Sequence, residues 1–267
     1  NTPENRPADR EITYQLYGGG VETRIRQELL LGLGGLQALD VLGIKPAVYH
    51  LNEGHAAFLA LERVRRAMEQ DNLSFAEAFE ATRVSNVFTT HTPVAAGHDR
   101  FHRTLIEKYL KHYYPRLGLT LDELMNLGAP SYCGPTDEFW MTALALRFSA
   151  WRNGVSRLHG EVTRKAWAAL WPGVPHEEVP IGAITNGVHV GSFISDDMAV
   201  LFDRYLGEDW RIEPGEPAVW QRVADIPASE LWRAHERRRE RLVAVARRRL
   251  VQQLEQRGAS QQELEVA

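Results

Sequence analysis

Polar side chains carrying acid, amide and imidazole groups follow three short apolar runs of this chain. The runs begin at residues 48, 87 and 181, and the polar residues behind them are Asn52, Glu53, His55, Thr90, His91 and Asn186. In an open α/β sheet, ligands bind at the carboxyl ends of the strands. If each run is a strand, these groups form one converging site. Asn, Glu and His donate and accept hydrogen bonds compactly, as the vicinal hydroxyls of a sugar require.

The same residues allow two other interpretations. His50, Glu53 and His55 are the ligand types of a zinc hydrolase, and His98 and His102 are four residues apart, a spacing that places both on one face of a helix. However, no H-E-x-x-H motif occurs, and a single cysteine excludes a Cys-x-x-Cys motif. We therefore predict no metal. A structural role stays open, in which His55 pairs with Glu53 and the Asn-Gly dipeptides make turns.

Other enzyme classes lack their sequence signatures in this chain. It contains no G-x-S-x-G elbow of a serine hydrolase, no P-loop and no G-x-G-x-x-G fingerprint of a dinucleotide site. Polyol recognition fits better, because threonines on both sides of His91 add hydroxyl groups to the predicted site. Asn153 and Asn186 each precede a glycine, which alone indicates only a turn. Asn186 follows a predicted strand, and both residues, taken together with the polar groups behind the other predicted strands, favour a binding role.

The spacing of apolar residues predicts the elements that place the first polar groups. The expected elements are a helix at 21–42, a strand at 47–51, a helix at 56–68, a helix at 74–83 and a strand at 86–90. Gly32, Gly34 and Gly35 in the first helix indicate close packing against a neighbour. Ser74 and Glu77 have the spacing of a capping box. This order predicts a right-handed crossover and a parallel sheet.

The second half of the chain completes the predicted architecture. The expected elements are a helix at 105–113, a helix apolar on every face at 138–151, a helix ending at 171, a third strand from 181 and surface helices from 196. The last helix, 229–257, carries nine arginines and four glutamates, and its apolar residues from Leu231 onward are candidates for a buried stripe. The fold class we predict is α/β, with a Rossmann-like parallel sheet and flanking helices.

The composition restricts the class of protein. Of 267 residues, 44% are hydrophobic and 25% charged, as in an ordinary globular domain. The net charge of −4 argues against nucleic acid as a partner, and no run of about 18 apolar residues indicates a membrane span. One cysteine, Cys133, fits a reducing cytosol, so we expect a cytoplasmic protein. The polar N-terminus is unlike a signal peptide and is typical of the interior of a longer chain.

Four stretches of this sequence resemble the α-glucan phosphorylases, the family of glycogen, starch and maltodextrin phosphorylases. They are HLNEGHAA at 50–57, TTHTP at 89–93, NGVSRLH at 153–159 and ITNGVH at 184–189, in family order and with family-like spacing. Arg24, Gln27 and Glu28 also match the R-x-x-Q-E motif of a family helix. The motifs are closest in form to the short bacterial and archaeal branch.

The resemblance implies a GT-B fold, in which two Rossmann-like lobes enclose the active site. It implies that the complete enzyme transfers a glucosyl unit from an α-1,4-glucan or maltodextrin to orthophosphate, giving glucose 1-phosphate. It also implies pyridoxal 5'-phosphate, bound to a lysine as a Schiff base, as the cofactor. Residues 1–228 would be part of the N-terminal lobe, and residues 229–267 a basic amphipathic helix and tail leading towards the C-terminal lobe. A homo-oligomer is left open.

The family's site residues carry over to the matching positions. His91 matches the catalytic histidine that contacts the transferred glucosyl unit, and Asn186 matches the asparagine that binds its 6-hydroxyl. The other substrate-binding positions are Asn52, Glu53, His55, Thr90 and Asn153. The sequence departs from the family at Gly191 and Phe193, where relatives carry Pro and Trp. No lysine here matches the cofactor lysine, so we expect the chain alone to hold no cofactor and to be inactive.

Three alternatives differ in class. The chain could be the sugar lobe of another GT-B glycosyltransferase, such as a nucleotide-sugar glucan synthase. It could be a stand-alone glucan-binding domain, which would bind maltooligosaccharides tightly by itself. The arginine-rich helix from Arg237 to Arg249 could bind nucleic acid, in which case binding would depend on salt.

Overall fold

The computed structural model describes residues 4–15, 19–94, 97–131 and 137–266, so Cys133 lies outside the described residues. In these ranges the strands, in chain order, are β1 (Tyr49–Asn52), β2 (Asn86–Thr90), β3 (Arg100–His102), β4 (Glu138–Trp140), β5 (Trp151–Gly154) and β6 (Gly182–Ala183). Contacts divide the chain into two compact units, residues 1–186 and 187–267. The predicted division at residue 228 concerns the lobes of a complete enzyme and stays a prediction.

Helices of the first unit surround its strands. They are α1 (Pro7–Arg10), α2 (Val21–Leu29), α3 (Gly35–Val41), α4 (Phe58–Asp71), α5 (Phe75–Arg83), α6 (Arg103–Leu110), α7 (Leu121–Leu127), α8 (Met141–Arg147) and α9 (Arg157–Trp167). Short 3-10 turns lie at Gly54–Ala56, Tyr114–Leu117, Ala168–Leu170 and His176–Glu178. A π-helical segment, Leu30–Gly34, joins α2 to α3 without a break.

Four parallel strands form the main sheet in the order β1-β2-β5-β6. The helices α4 and α5 connect β1 to β2, as a parallel pair requires. The capping box predicted at the start of α5 is present, because Ser74 Oγ accepts from the Glu77 N–H and Glu77 Oε2 accepts from the Ser74 N–H. The predicted α/β class with a parallel sheet is confirmed.

The predicted helix at 138–151 is wrong in its extent. That stretch forms β4, then α8, then the start of β5, while β3 and β4 pair as a separate antiparallel ribbon. Every residue of α8 from Met141 to Leu146 is buried, and so is Phe139 in β4. The strand β4 is only three residues long, and its apolar residues Phe139 and Trp140 continue without a break into the buried helix α8, so periodicity did not separate the two elements. The stretch predicted as a turn at Asn153 is therefore part of a strand.

Two further predictions change. The predicted third strand from Ile181 is only β6, two residues long, and becomes the fourth strand of the sheet. His98 and His102 do not share a helical face, because His98 lies before β3 and His102 at its end, where His102 caps α6. His98 is buried, and its Nδ1 is hydrogen-bonded to Thr142 Oγ1 at 2.9 Å. Its ring packs edge-on against Trp167.

Of the glycines predicted to allow close packing in the first long helix, Gly32 makes the close contact. A Cβ on Gly32 would lie 2.8 Å from the backbone nitrogen of Leu59 and 2.9 Å from Phe58 Cβ, so the π-helical segment packs directly on the start of α4. The predicted close packing is thus confirmed for Gly32. It is wrong for Gly35, where a Cβ would meet no atom within 4 Å.

The second unit consists of helices. They are α10 (Val190–Phe193), α11 (Asp196–Leu206), α12 (Asp209–Ile212), α13 (Pro217–Gln221), α14 (Ala228–Gln256) and α15 (Gln261–Val266). Its core contains Trp210, with Phe202 at 5.6 Å between ring centroids. The apolar stripe predicted from Leu231 along α14 is not buried, since Ala234 is the buried residue of that helix. Within the described ranges, no helix combines the length and hydropathy needed to span a bilayer.

An ionic group stabilises α4 against the neighbouring helices. Glu62 is 3% exposed and accepts from Arg65 Nε at 2.7 Å, from Arg66 Nε at 2.9 Å and from the Tyr113 hydroxyl at 2.9 Å. Burial opposes ionisation of Glu62, but the bonds from Arg65, Arg66 and Tyr113 outweigh it and lower the pKa of the carboxyl to about 2. A buried carboxylate with this many donors remains charged at neutral pH.

We predict that Glu62→Ala lowers the free energy of unfolding by about 3 kcal/mol, the lower end for a broken buried ion pair, because it removes the buried carboxylate that Arg65 and Arg66 share and leaves Arg65 paired with the half-exposed Glu69. Urea unfolding followed by circular dichroism measures this. The matched control is Glu80→Ala, which removes the 65% exposed partner of Arg83 and should cost less than about 1 kcal/mol. Equal losses in the two variants would contradict the assignment.

Candidate functional site

The carboxyl ends of β1 and β2 bring Asn52, Glu53 and His91 together. Asn52 lies opposite Thr89 in the parallel ladder, so the residues that follow β1 and β2 leave the sheet at the same edge. His91 Nε2 lies 3.1 Å from Asn52 Oδ1, and the imidazole is exposed. Since an amide oxygen accepts, Nε2 of the neutral ring carries the proton and Nδ1 is left as an acceptor.

Glu53 binds the chain just beyond β2. Its carboxylate Oε1 accepts a short hydrogen bond from the backbone N–H of His91, and the Thr90 hydroxyl lies 3.3 Å from the same oxygen. The backbone of Glu53 has φ 60° and ψ −178°. This region is essentially restricted to glycine, so a side chain there costs about 1–3 kcal/mol. Asn52 therefore holds the ring of His91, and Glu53 holds its backbone.

A second row of polar groups runs across the sheet. His50 Nε2 lies 2.8 Å from Thr89 Oγ1, which in turn donates to Asn153 Oδ1 at 2.9 Å. Asn153 is buried, and its Nδ2 donates to the Gly154 carbonyl at 3.2 Å, so both atoms of its amide have partners within the fold. Asn186 is exposed, and its backbone N–H donates to the Val155 carbonyl at 3.3 Å. Asn186 thus follows β6 at the edge that carries Asn153.

His55 turns away from Glu53 and enters an ionic cluster in which Glu28 is buried and Arg24, His55 and Asp99 are half-buried. His55 Nδ1 donates to Asp99 Oδ2 at 3.0 Å, and Arg24 donates to the same oxygen through Nη2 at 3.0 Å. Arg24 Nε also lies 3.2 Å from Glu28 Oε1. The predicted His55–Glu53 pair is therefore wrong, and His55 as a substrate ligand stays a prediction.

The cluster contains the ligand types of a metal site, but the guanidinium group of Arg24 occupies its centre. Ligand atoms of Glu28, His55 and Asp99 lie within 4.8 Å of one another. The guanidinium of Arg24 contacts all three side chains, including the ring of His55. A metal ion would have to displace this permanent charge. The arrangement therefore ties α2 to the turn after β1 and to the segment before β3.

The cluster sets the protonation of its members. Burial raises the pKa of Glu28 to about 8, and only 1% of that residue is exposed. The hydrogen bond to Asp99 raises the pKa of His55 to about 9. Burial opposes ionisation of Asp99, but bonds from His55, Glu28 and Arg24 outweigh it and hold its pKa well below the usual range. At neutral pH, Glu28 is mainly protonated and His55 mainly cationic.

No lysine of the chain suits covalent attachment of an aldehyde cofactor at this edge. The chain has Lys45 before β1, Lys108 in α6 bonded to Glu22, Lys111 beyond it, and Lys165 in α9. None follows a strand of the main sheet. A cavity of about 900 Å³ lies elsewhere, bordered by Arg83 and Arg152 at the amino-terminal ends of β2 and β5.

Sequence reasoning missed Asp99. The R-x-x-Q-E motif drew attention to Arg24 and Glu28, but their acidic partner lies 75 residues from Arg24 and follows no strand of the main sheet. The absence of a Cβ at Gly54 is also needed here, because a Cβ would lie 2.8 Å from Met141 Cβ. The sequence analysis considered the neighbouring His98 only together with His102, as a possible metal pair on a helix, and it drew nothing from Asp99.

We predict that the chain loses stability as the pH rises from about 6.5 to 9. A raised histidine pKa contributes stability below its unfolded value of about 6.5, which is lost as the pH passes through the folded value. The raised pKa of Glu28 acts in the same direction, because the folded state keeps a proton that the unfolded state releases. Thermal unfolding at a series of pH values measures the slope.

His55→Gln and Glu28→Gln should each flatten this slope, whereas His112→Gln, at an exposed position of the same unit, should leave it unchanged. An unaltered slope in His55→Gln would show that other groups control the pH dependence.

The comparisons with known proteins concern the whole chain. No family model matches it. It is 42% identical over 258 residues to maltodextrin phosphorylase of Thermococcus litoralis, an alignment of 97% of this chain and 30% of that protein. Glycogen phosphorylase of Mycobacterium tuberculosis is 40% identical, over 98% of this chain and 31% of its own length. Glycogen phosphorylase of Aquifex aeolicus is 33% identical, over 91% and 34%.

The similarity extends through both units and includes every stretch that carries the polar edge described above. The chain spans about 30% of the length of the curated relatives that it matches. By this similarity, the chain belongs to the family of glycogen and maltodextrin phosphorylases, as one segment of such a protein.

Proposed function

We propose that this chain supplies the glucosyl-binding wall of an α-1,4-glucan phosphorylase. The complete protein would transfer a glucosyl unit from an α-1,4-glucan or maltodextrin to orthophosphate and release glucose 1-phosphate. The observation that supports this most directly is the fixed imidazole of His91, whose ring is held by Asn52 and whose backbone is held by Glu53. The names of the relatives support the same reaction.

His91 would position the sugar through Nδ1. Because Nε2 is used by Asn52, a neutral ring offers Nδ1 as an acceptor for a sugar hydroxyl. Asn186 would contribute an amide that both donates and accepts hydrogen bonds, and its side chain at the β6 edge is exposed. Hydrogen bonds that are oriented before the reaction stabilise the transition state without reorganisation.

The cofactor would be bound elsewhere in the complete protein. Pyridoxal 5'-phosphate supplies proton-transfer chemistry through its phosphate in the family that the sequence resembles. The lysines of this chain do not fit its attachment at the polar edge, so no step of this proposal is assigned to it. A GT-B architecture, a cytoplasmic location and assembly into a homo-oligomer belong to the same proposal.

We predict that the 267-residue chain alone shows no phosphorolysis of maltoheptaose, with or without added pyridoxal 5'-phosphate, because it provides one wall of the site. Release of glucose 1-phosphate, measured by a coupled assay, tests this. Calorimetry with maltooligosaccharides should show weak binding at most. Submicromolar binding by the chain would instead support a stand-alone glucan-binding domain.

In the complete protein, His91→Ala and Asn186→Ala should each lower kcat/KM for phosphorolysis by about 10²–10³, the usual cost of removing one oriented transition-state contact. Steady-state kinetics at saturating phosphate measure the loss. His102→Ala is the matched control, because this exposed histidine lies in the β3–β4 ribbon and caps α6. A loss below threefold in both site variants would refute the assignment.

A further inference from the structure

The backbone of Glu53 is unusual among the described residues. Apart from glycines, positive φ values in the described ranges occur at Glu53 and Asn72. Asn72 has φ 53° and ψ 41°, the ordinary left-handed conformation that ends a helix. Glu53 has ψ −178° instead, a region that side chains disfavour. The glycine of this turn, Gly54, follows Glu53 and does not take up the strained position.

The conformation of Glu53 directs its carboxylate across the sheet. Its own N–H donates to the Thr89 carbonyl at 2.9 Å, so the residue continues the pairing of β1 with β2. The side chain then extends over the end of β2, where Oε1 accepts from the N–H of His91. A carboxylate that accepts from a backbone N–H makes a charge-assisted bond, which is stronger than one between neutral groups.

The residues after Glu53 are fixed on two sides. Gly54 lies so close to Met141 that a Cβ would approach Met141 Cβ to 2.8 Å. His55 is bound to Asp99 within the ionic cluster, at 3.0 Å. Packing on one residue and an ion pair on the next leave the turn little freedom. These contacts sustain the strained backbone of Glu53, in accordance with the rule that strain persists where surrounding structure over-determines it.

We propose that Glu53 is a positioning residue for His91, and that the Arg24–Glu28–His55–Asp99 cluster holds Glu53 in the conformation that this role requires. The carboxylate fixes the backbone N–H of His91, and through it the segment that presents the imidazole. The role in glucosyl transfer rests on the proposed function. The role in fixing His91 does not, because it is a property of the folded chain.

A direct contact between Glu53 and sugar is the competing role. It would require the carboxylate to face the ligand, whereas Oε1 is directed to the His91 N–H and Oε2 lies 3.5 Å from Thr90 Oγ1. The two roles differ in their response to glutamine. Glutamine keeps a neutral oxygen that can accept from the N–H of His91, so a positioning role is largely preserved.

The first test uses the chain itself and follows the amide of His91 by NMR hydrogen exchange. Glu53→Gly and Glu53→Ala should each speed its exchange by about tenfold or more, because the N–H loses its acceptor. Glu53→Gln should stay near the wild-type rate. Glu53→Gly should also melt at a higher temperature than Glu53→Ala, because both lack the carboxylate and only alanine keeps the strain. Glu80→Gln is the control.

Unchanged exchange of the His91 amide in Glu53→Gly would overturn the proposal. If Glu53→Ala fails to fold, the glycine and glutamine variants still decide the exchange result. Disruption of the cluster by His55→Gln should also increase the hydrogen-exchange rate of the His91 amide, which would show that the cluster acts through Glu53. No effect of His55→Gln would overturn that part of the proposal.

The second test uses the complete protein and measures phosphorolysis. Glu53→Gly should lower kcat by about tenfold or more with little change in KM for the glucan, because misplacement of His91 affects the transition state most. Glu53→Gln should restore most of the rate. A raised KM without rescue by glutamine would instead assign Glu53 to direct sugar binding. If the complete protein transfers no glucosyl unit, the proposed function fails, and the exchange result still decides the positioning role.

Discussion

The pairing of β2 with a parallel strand on each side is the interaction on which the site depends. Phe88 is fully buried, and Thr89 and Thr90 are buried at the end of the same strand. Parallel register fixes where each neighbouring strand ends, so Asn52 leaves beside Thr89 and Asn153 lies beside the same residue. Because side chains alternate along a strand, a shift of one residue would turn these groups to the opposite face. The positions of the polar side chains at the site therefore depend on the register of these paired, largely buried strands.

Two ionic groups contribute to the structure around this sheet in different ways. The Glu62 group stabilises α4 with charges that are matched by three donors and carries no site residue. The cluster around Asp99 instead connects α2 to the turn that bears Glu53, and it shares one carboxylate oxygen between Arg24 and His55. Breaking a buried ion pair costs far more than the pair contributes relative to apolar packing. Each cluster therefore contributes mainly by selecting one arrangement of the helices and turns that it connects. Its net contribution to the free energy of unfolding, relative to apolar packing, is smaller.

The sequence was sufficient for features determined by neighbouring residues. The strand at 86–90 is observed with the predicted bounds, and the Ser74–Glu77 cap is present, because both depend on local periodicity and local hydrogen bonds. The strand β5 was missed because Trp151 ends an apolar stretch that was assigned to a helix, and four residues are too few to show the alternation of a strand. The contact of Asp99 with Arg24 depends on the tertiary fold. The strain at Glu53 gives no signal in composition, since glutamate is not a residue expected at that backbone conformation.

The π-helical segment between α2 and α3 fixes the length of the chain there. Successive residues of an α-helix are rotated by about 100°, so one residue more or fewer changes which face follows the segment. The wide turn at Leu30–Gly34 has the form that follows from inserting one residue into a regular helix. A deletion there would restore a regular helix and rotate Arg24 and Glu28 relative to Leu36, which is buried in α3. Among homologous genes, we therefore expect insertions and deletions to be selected against in this segment more strongly than substitutions of its exposed residues.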